Sequence, residues 1–128
     1  MFEKLEITAM AQAMASHAGA RIGAISQNMA NADTPGYKAR DVADFATVWD
    51  AGQGAQGMRR TRPGHLGSAE QTMTPEIIAS SGASSPNGNS VSLETEMVKA
   101  AQVREQHDMA LAIYRNTSDI IRASLGKR

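Results

Sequence analysis

Between Ile7 and Ala32 the only side chain with a formal charge at neutral pH is Arg21. The same stretch is crowded with alanine, the best helix former. Its apolar residues Ile7, Ala11, Met14, Ala18, Ile22, Ile25 and Met29 recur at gaps of 4, 3, 4, 4, 3 and 4. The spacing predicts one helix over roughly 3–32, a rod of about 45 Å at about 1.5 Å per residue. An eleven-residue repeat suits straight or slightly right-handed packing rather than a left-handed zipper. A surface helix normally sets charges opposite its apolar stripe. Here that side carries Gln12, Ser16, His17, Ser26, Gln27 and Asn28 with small alanines between them. Uncharged small side chains admit close neighbours, so this helix is expected to be covered on more than one side. The alternative is a solvated Ala/Ser/Gln helix with a single packed face. Asn31, Asp33, Pro35 and Gly36 end the helix.

A second long helix is expected over 93–125. Ser92 is a suitable N-cap, and Glu94 and Glu96 sit where the helix dipole favours acids. Gly126-Lys127-Arg128 is a C-terminal stop. Val103, Ala110, Tyr114, Ile121 and Leu125 make one stripe, which Leu93, Met97, Leu111, Ile113 and Ile120 broaden. Arg104, Arg115, Asp119 and Arg122 can pair along the outer side at i,i+3 or i,i+4.

The middle differs in kind. Roughly 50–90 holds seven glycines and three prolines, with serines running from Ser80 to Ser85. That is loop composition, with room for short extended pieces. The expected fold is mainly α. Long N- and C-terminal helices pair as a coiled-coil-like hairpin, joined by a Gly/Pro/Ser-rich, partly extended or disordered middle. The divisions are 1–36 (helix and turn), 37–92 (loop region) and 93–128 (second helix). Five aromatic residues, Phe2, Tyr37, Phe45, Trp49 and Tyr114, are few for a thick core. Two alanine-rich helices meeting along one seam bury little, so the chain is expected to gain order from copies or partners.

Composition removes several function classes. The chain has no cysteine, hence no disulfide and no Cys-type zinc site. Thirteen basic residues balance thirteen acidic ones, which gives no overall attraction to nucleic acid or an anionic membrane. No apolar run is long enough to cross a bilayer, and Glu3, Lys4 and Glu6 interrupt the start in a way a cleaved secretory signal does not. Neither nucleic-acid binding nor membrane insertion is therefore expected. Gly52-Gln53-Gly54-Ala55-Gln56-Gly57 fits the dinucleotide pattern G-x-G-x-x-G, with Glu76 near the ribose-acid position. The pattern has meaning only between a strand and a helix, and Arg59-Arg60-Thr61-Arg62-Pro63 does not open a helix. Those arginines, without interleaved aromatics, read as a solvated loop or a contact for an acidic protein face. His17, His65 and His107 have no metal spacing, and no serine stands in a nucleophile-elbow setting. Asn116-Thr117-Ser118 is a formal glycosylation sequon, but falls inside the second helix. No catalytic residue, metal ligand or cofactor is assigned.

Thr34-Pro35-Gly36-Tyr37 is a strong turn, proline presetting its own φ and glycine accepting the positive φ of a type II turn. Tyr37 to Phe45 then reads as extended. The whole segment from Ser26-Gln27-Asn28-Met29-Ala30-Asn31 through Thr34-Pro35-Gly36-Tyr37 to Lys38-Ala39-Arg40-Asp41 resembles the N-terminal signature of the bacterial flagellar axial proteins, the rod and hook family. In that family an asparagine-rich helix end runs into a TPGY turn. The short chain, the Lys38-Ala39-Arg40-Asp41 continuation and the single Phe45 are similar to its proximal rod members. Gly88-Asn89-Ser90-Val91-Ser92-Leu93-Glu94-Thr95-Glu96-Met97 is similar to that group's approach to its C-terminal helix. Val42-Ala43-Asp44-Phe45 departs by one extra residue.

The resemblance implies a structural subunit, not an enzyme. It implies paired terminal helices around a central channel, stacked into a drive shaft crossing the periplasm. The expected partners are copies of the chain, other rod proteins, membrane-ring and rod-base proteins, and the flagellar type III export gate, reached without a cleaved signal. Asn28, Asn31, Thr34, Pro35, Gly36 and Tyr37 would set the turn. Ile7, Met14, Ala18, Ile22, Ile25 and Met29, with Val103, Tyr114, Ile121 and Leu125, would make helix or subunit contacts. Phe45-Ala46-Thr47-Val48-Trp49 resembles the family's export-gate motif; the plainer reading is two packing aromatics. Outside the resemblance, a soluble helical adaptor or chaperone-like oligomer fits the pattern, and more remotely a nucleotide-using enzyme built on Gly52–Gly57.

Overall fold

The computed structural model of the chain describes residues 2–54, 76–80 and 84–126. Five elements follow in order: α1 (Phe2–Ala30), β1 (Arg40–Val42), α2 (Phe45–Gly54), β2 (Ile77–Ala79) and α3 (Leu93–Ser124). Both expected long helices are present, at 29 and 32 residues. They pack antiparallel. Asn28 near the end of α1 reaches Glu96 in the first turns of α3, while Ala11 lies beside Ala110 far along it. The α3 N-cap is Ser92, whose hydroxyl accepts from the Thr95 amide. Leu125 and Gly126 turn back their amides onto the last carbonyls, with Gly126 at φ 67°.

The seam is narrow and built from small residues. Ala18, Ile25 and Val103 form its buried cluster, with Met29 and Ala100 packed against it, and Ala11 and Ala110 are buried further along. On α1 the buried residues Ala11, Ala18 and Ile25 are seven apart, as are Glu96, Val103 and Ala110 on α3. This corrects the eleven-residue period expected for the packing: the contact line follows the seven-residue repeat of left-handed pairing. The larger apolar side chains drew the longer repeat, yet close approach of two helices is set by alanines, which let the backbones near each other.

A second side of α1 is covered by the chain itself. His17 and Ala24, each one residue before a seam position, are buried. The His17 Nε2–H donates to the Ala43 carbonyl at 2.7 Å, so this nitrogen carries the proton. The ring stands edge-on to Phe45, with centroids 5.6 Å apart, and Phe45 lies 5.8 Å from Trp49. Residues 45–54, expected as part of the loop, are therefore helical. Phe45 and Trp49, four apart, fall on one side of α2. The contact with α1 favours a helix that glycines at 52 and 54 would discourage locally. Those glycines end a helix rather than link a strand to one, so the dinucleotide pattern lacks its setting. Gly57, the Arg59–Arg62 cluster, His65 and most of the expected middle loop lie outside the described residues.

β1 and β2 pair antiparallel, Arg40 opposite Ala79 and Val42 opposite Ile77. β1 lies against α1 with Asp41 and Val42 buried, whereas Ile77 and Ile78 of β2 are exposed. Among the described residues, no helix is long and apolar enough to cross a membrane.

Candidate functional site

The most elaborate chemistry in the chain lies where α1 ends, the turn leaves it, and α3 begins. Asn28 is completely buried, and its amide is fully used. Its Nδ2 donates to the Arg40 carbonyl at 2.6 Å and to Glu96 Oε2 at 2.9 Å. Its Oδ1 accepts from the Arg40 amide at 2.9 Å and the Tyr37 hydroxyl at 3.3 Å. One side chain thus ties α1 to the turn, to β1 and to α3. A buried polar group is tolerated only when every donor and acceptor has a partner, and among the described residues no buried side-chain nitrogen or oxygen lacks one.

Four charges join this hub. The Asp41 carboxylate receives Arg21 Nε at 2.9 Å, Lys99 Nζ at 3.2 Å and the Val42 amide at 2.8 Å. Lys99 also pairs with Glu96 Oε1 at 3.2 Å. Two cations and two anions cancel, so the hub is neutral. Burial alone would raise the Asp41 pKa. The Arg21 hydrogen bond, the Val42 amide and Lys99 outweigh it, leaving the carboxyl below its ordinary value. Burial would lower the Lys99 pKa, but Glu96 and Asp41 reverse that and hold the ammonium above its ordinary value.

The Thr34-Pro35-Gly36-Tyr37 turn is closed by the Tyr37 amide on the Thr34 carbonyl at 3.3 Å, with Gly36 at φ 73° as expected for its position. Thr34 Oγ1 donates to Asn31 Oδ1, and Asn31 Nδ2 donates back to the Gln27 carbonyl at 2.8 Å. A helix end leaves carbonyls without intrahelical donors. Here Asn89 supplies them from the other end of the chain. Its Nδ2 donates to the carbonyls of Asn31, Ala32 and Thr34 at 3.0, 2.7 and 2.9 Å. The Gly36 amide meets the Asn87 carbonyl at 3.0 Å. Gly88, at φ 81°, comes so close that a Cβ there would sit 3.4 Å from the Gly36 Cα. Pro35 and Gly36 are exposed and Tyr37 half-buried.

The expected interface residues divide. Ala18, Ile25 and Val103 are in the seam and Met29 flanks it. Met14 and Ile121 are half-buried, while Ile7, Ile22, Tyr114 and Leu125 are exposed on the single chain. Phe45 and Trp49 are half-buried on α2, and Trp49 lines a shallow recess with Ile7 and Met10. Sequence reasoning missed the hub. Its signals were a lone arginine in an otherwise uncharged helix, which needs an anion, and Glu96 standing one heptad before Val103, on the seam line.

This arrangement holds elements together and offers no nucleophile beside a base. Among the described residues, no group of three His, Asp or Glu could hold a metal ion. No protein-family model matches the chain. Over 120 residues it is 30% identical to the flagellar basal body rod protein FlgB of Agrobacterium fabrum (strain C58 / ATCC 33970), covering 89% of this chain and 88% of the relative. An alignment of that extent takes in the asparagine-tied turn and more than half of each long helix. The chain belongs to the FlgB family of flagellar basal body rod proteins, structural subunits and not enzymes.

Proposed function

We propose that the chain is a proximal rod subunit, part of the drive shaft that carries torque across the periplasm. It is made in the cytoplasm and exported uncleaved through the flagellar type III apparatus. Family membership gives the coarser statement, a basal body rod component assembled with other such components. The finer reading rests on one observation: the side of α1 left uncovered by the described residues has the chemistry of an interface. Ala9, Gln12, Ser16, Gly19, Ile22, Gly23, Ser26 and Gln27 are exposed there without a formal charge. Among the described residues a Cβ built at Gly19 or Gly23 would meet nothing within 4 Å, so no contact among them calls for their small size. A glycine within a helix costs about 0.5–1 kcal/mol relative to alanine. Close approach by a neighbouring subunit gives that cost a purpose.

In this reading 1–36 and 93–128 act together as the axial unit. Ile7, Met14, Ile22, Tyr114, Ile121 and Leu125 meet copies of the chain or other rod, rod-base and membrane-ring proteins. Ala18, Ile25, Met29 and Val103 hold the hairpin that presents them. Asn28, Asn31, Thr34, Pro35, Gly36 and Tyr37 keep the turn. Phe45 and Trp49 serve the export gate before assembly and pack on α1 afterwards.

Replacing the gene with one encoding Ile22→Glu tests the reading. The purified variant is expected to keep its helical circular dichroism, since Ile22 is 37% exposed. Cells are expected to lose swimming, with basal bodies halted before a rod forms. Normal swimming with normal rods would overturn it.

A further inference from the structure

We propose that the polar hub, and not the apolar seam, selects which register α3 adopts against α1. The seam is nearly blind to register. Its buried positions are seven apart on both helices, and alanines occupy Ala11, Ala18 and Ala110. Moving α3 by one heptad puts Ala110 in the place of Val103, so one small apolar side chain replaces another against Ala18 and Ile25. The cluster of Ala18, Ile25 and Val103 is too small for such an exchange to be strongly penalised.

The hub is not blind. Asn28, Arg21 and, through β1, Asp41 belong to α1, whereas Glu96 and Lys99 belong to α3. A one-heptad slip displaces Lys99 from Asp41 and Glu96 from Asn28 by about 10 Å along the axis. It takes Glu96 from the buried Asn28 amide and Lys99 from the buried Asp41 carboxylate, leaving Asn28 with Arg40 and Tyr37 alone and Asp41 with Arg21 and the Val42 amide alone, a costly loss in a protein interior. Buried polar pairs fixing register at the expense of stability are known from coiled coils. Here the device matters because register decides which exposed side chains of the two helices stand at the same height. That consequence rests on the proposed rod function; the choice of register does not.

The chain contains no cysteine, so a pair of introduced ones reports cleanly. Nitroxide labels at Ser16→Cys and Gln102→Cys, both exposed positions, give an interhelix distance by pulsed electron resonance on the full chain. The otherwise unaltered labelled chain should show one narrow distance. Glu96→Leu with Lys99→Met replaces the α3 half of the hub by apolar chains of similar size. The labelled double variant should keep its helical circular dichroism and show a second distance population from the slipped pair. Glu96→Gln, which can still accept from Asn28, should restore a single narrow distance. A single unchanged distance in the double variant would overturn the proposal. So would loss of its helix, since the hub would then supply stability rather than register, and so would two populations in the unaltered chain. Swimming of cells carrying Glu96→Leu with Lys99→Met reads the assembly consequence separately, and normal swimming would leave the register result standing.

Discussion

The two long helices meet along one seam, yet their outer sides are opposites. α3 turns Arg104, Glu105, Asp108, Arg115, Asp119 and Arg122 to solvent, and Asp119 and Arg122 stand 3.8 Å apart as an exposed i,i+3 pair. α1 turns out glycine, serine, glutamine and isoleucine, and its one mid-helix charge, Arg21, is bound inward to Asp41. Both helices are long and both have a buried stripe, so length and amphipathicity do not separate them. What separates them is the side that does not touch the partner helix. α3 is finished for water, as surface helices are. α1 is finished for contact. On the proposed rod function, the uncharged side of α1 meets a neighbour while the charged side of α3 stays in water.

The largest effect tests what both helices share. Ile25 is 2% exposed in the seam. Ile25→Glu buries a charge with no cation placed to meet it, at a cost of at least about 4 kcal/mol. That is enough to melt a hairpin with so small a core, and circular dichroism under urea titration should show loss of helix in the purified chain. Ile22→Glu, three residues earlier and at the exposed flank of the seam, should lower the urea midpoint much less. If the two variants unfolded alike, the division of α1 into a seam side and an outer side would be wrong.

Asn89→Ala comes next. It removes the donor shared by the carbonyls of Asn31, Ala32 and Thr34, at about 2 kcal/mol. The loss should fall on α1 alone. Hydrogen exchange should quicken over the last turn of α1 and the Thr34–Tyr37 turn, while the middle of α3 keeps its protection. Equal quickening in both helices would mean that Asn89 supports the whole hairpin rather than the α1 end.

The pair of long helices was legible in the sequence because alanine content, periodicity and the Ser92 cap are local facts. The turn was legible too, since Pro35 and Gly36 each carry a backbone constraint that needs no neighbour. What could not be read was set at a distance. α2 forms although glycines crowd its end, because Phe45 has His17 to pack on and Trp49 packs on Phe45. Asn28 and Asn89 looked like helix-end and loop residues. Their partners, Glu96 and the Asn31–Thr34 carbonyls, lie more than fifty residues away along the chain. The seven-residue contact line was hidden for a related reason. A pattern weighted toward isoleucine and methionine follows the bulky side chains, and several of these, Ile7 and Ile22 among them, stay exposed on the single chain.

Acid should separate the helices more gently. The Asp41 pKa is lowered in the folded chain. The stability it contributes is therefore fully present above the unfolded value of about 4 and lost as pH falls through the lower folded value. The Lys99 pKa is raised. Its contribution is present below the unfolded value of about 10.4 and lost as pH climbs through the higher folded value. Between those limits neither group changes the stability. Urea midpoints taken from pH 7 down to pH 2 should fall with a steeper acid limb in the parent chain than in Asp41→Asn. Identical limbs in the parent and Asp41→Asn would show that the hub carboxylate does not couple to folding.

The smallest change carries the sharpest contrast, because its two consequences have opposite signs. Gly19 and Gly23 lie inside α1 with open space where a Cβ would go. In the isolated chain Gly19→Ala and Gly23→Ala should each stabilise the helix by about 0.5–1 kcal/mol, read as a higher urea midpoint. In cells the same substitutions should slow swimming in soft agar, since each added methyl group occupies space that the proposed neighbour needs. Residues kept small only for flexibility within the chain would give a different pair of results. Stability would rise and swimming would stay normal, and the uncharged side of α1 would then be an exposed helix surface like any other. A more stable chain that assembles worse is the result expected if a neighbouring subunit comes within a methyl group's width of that helix.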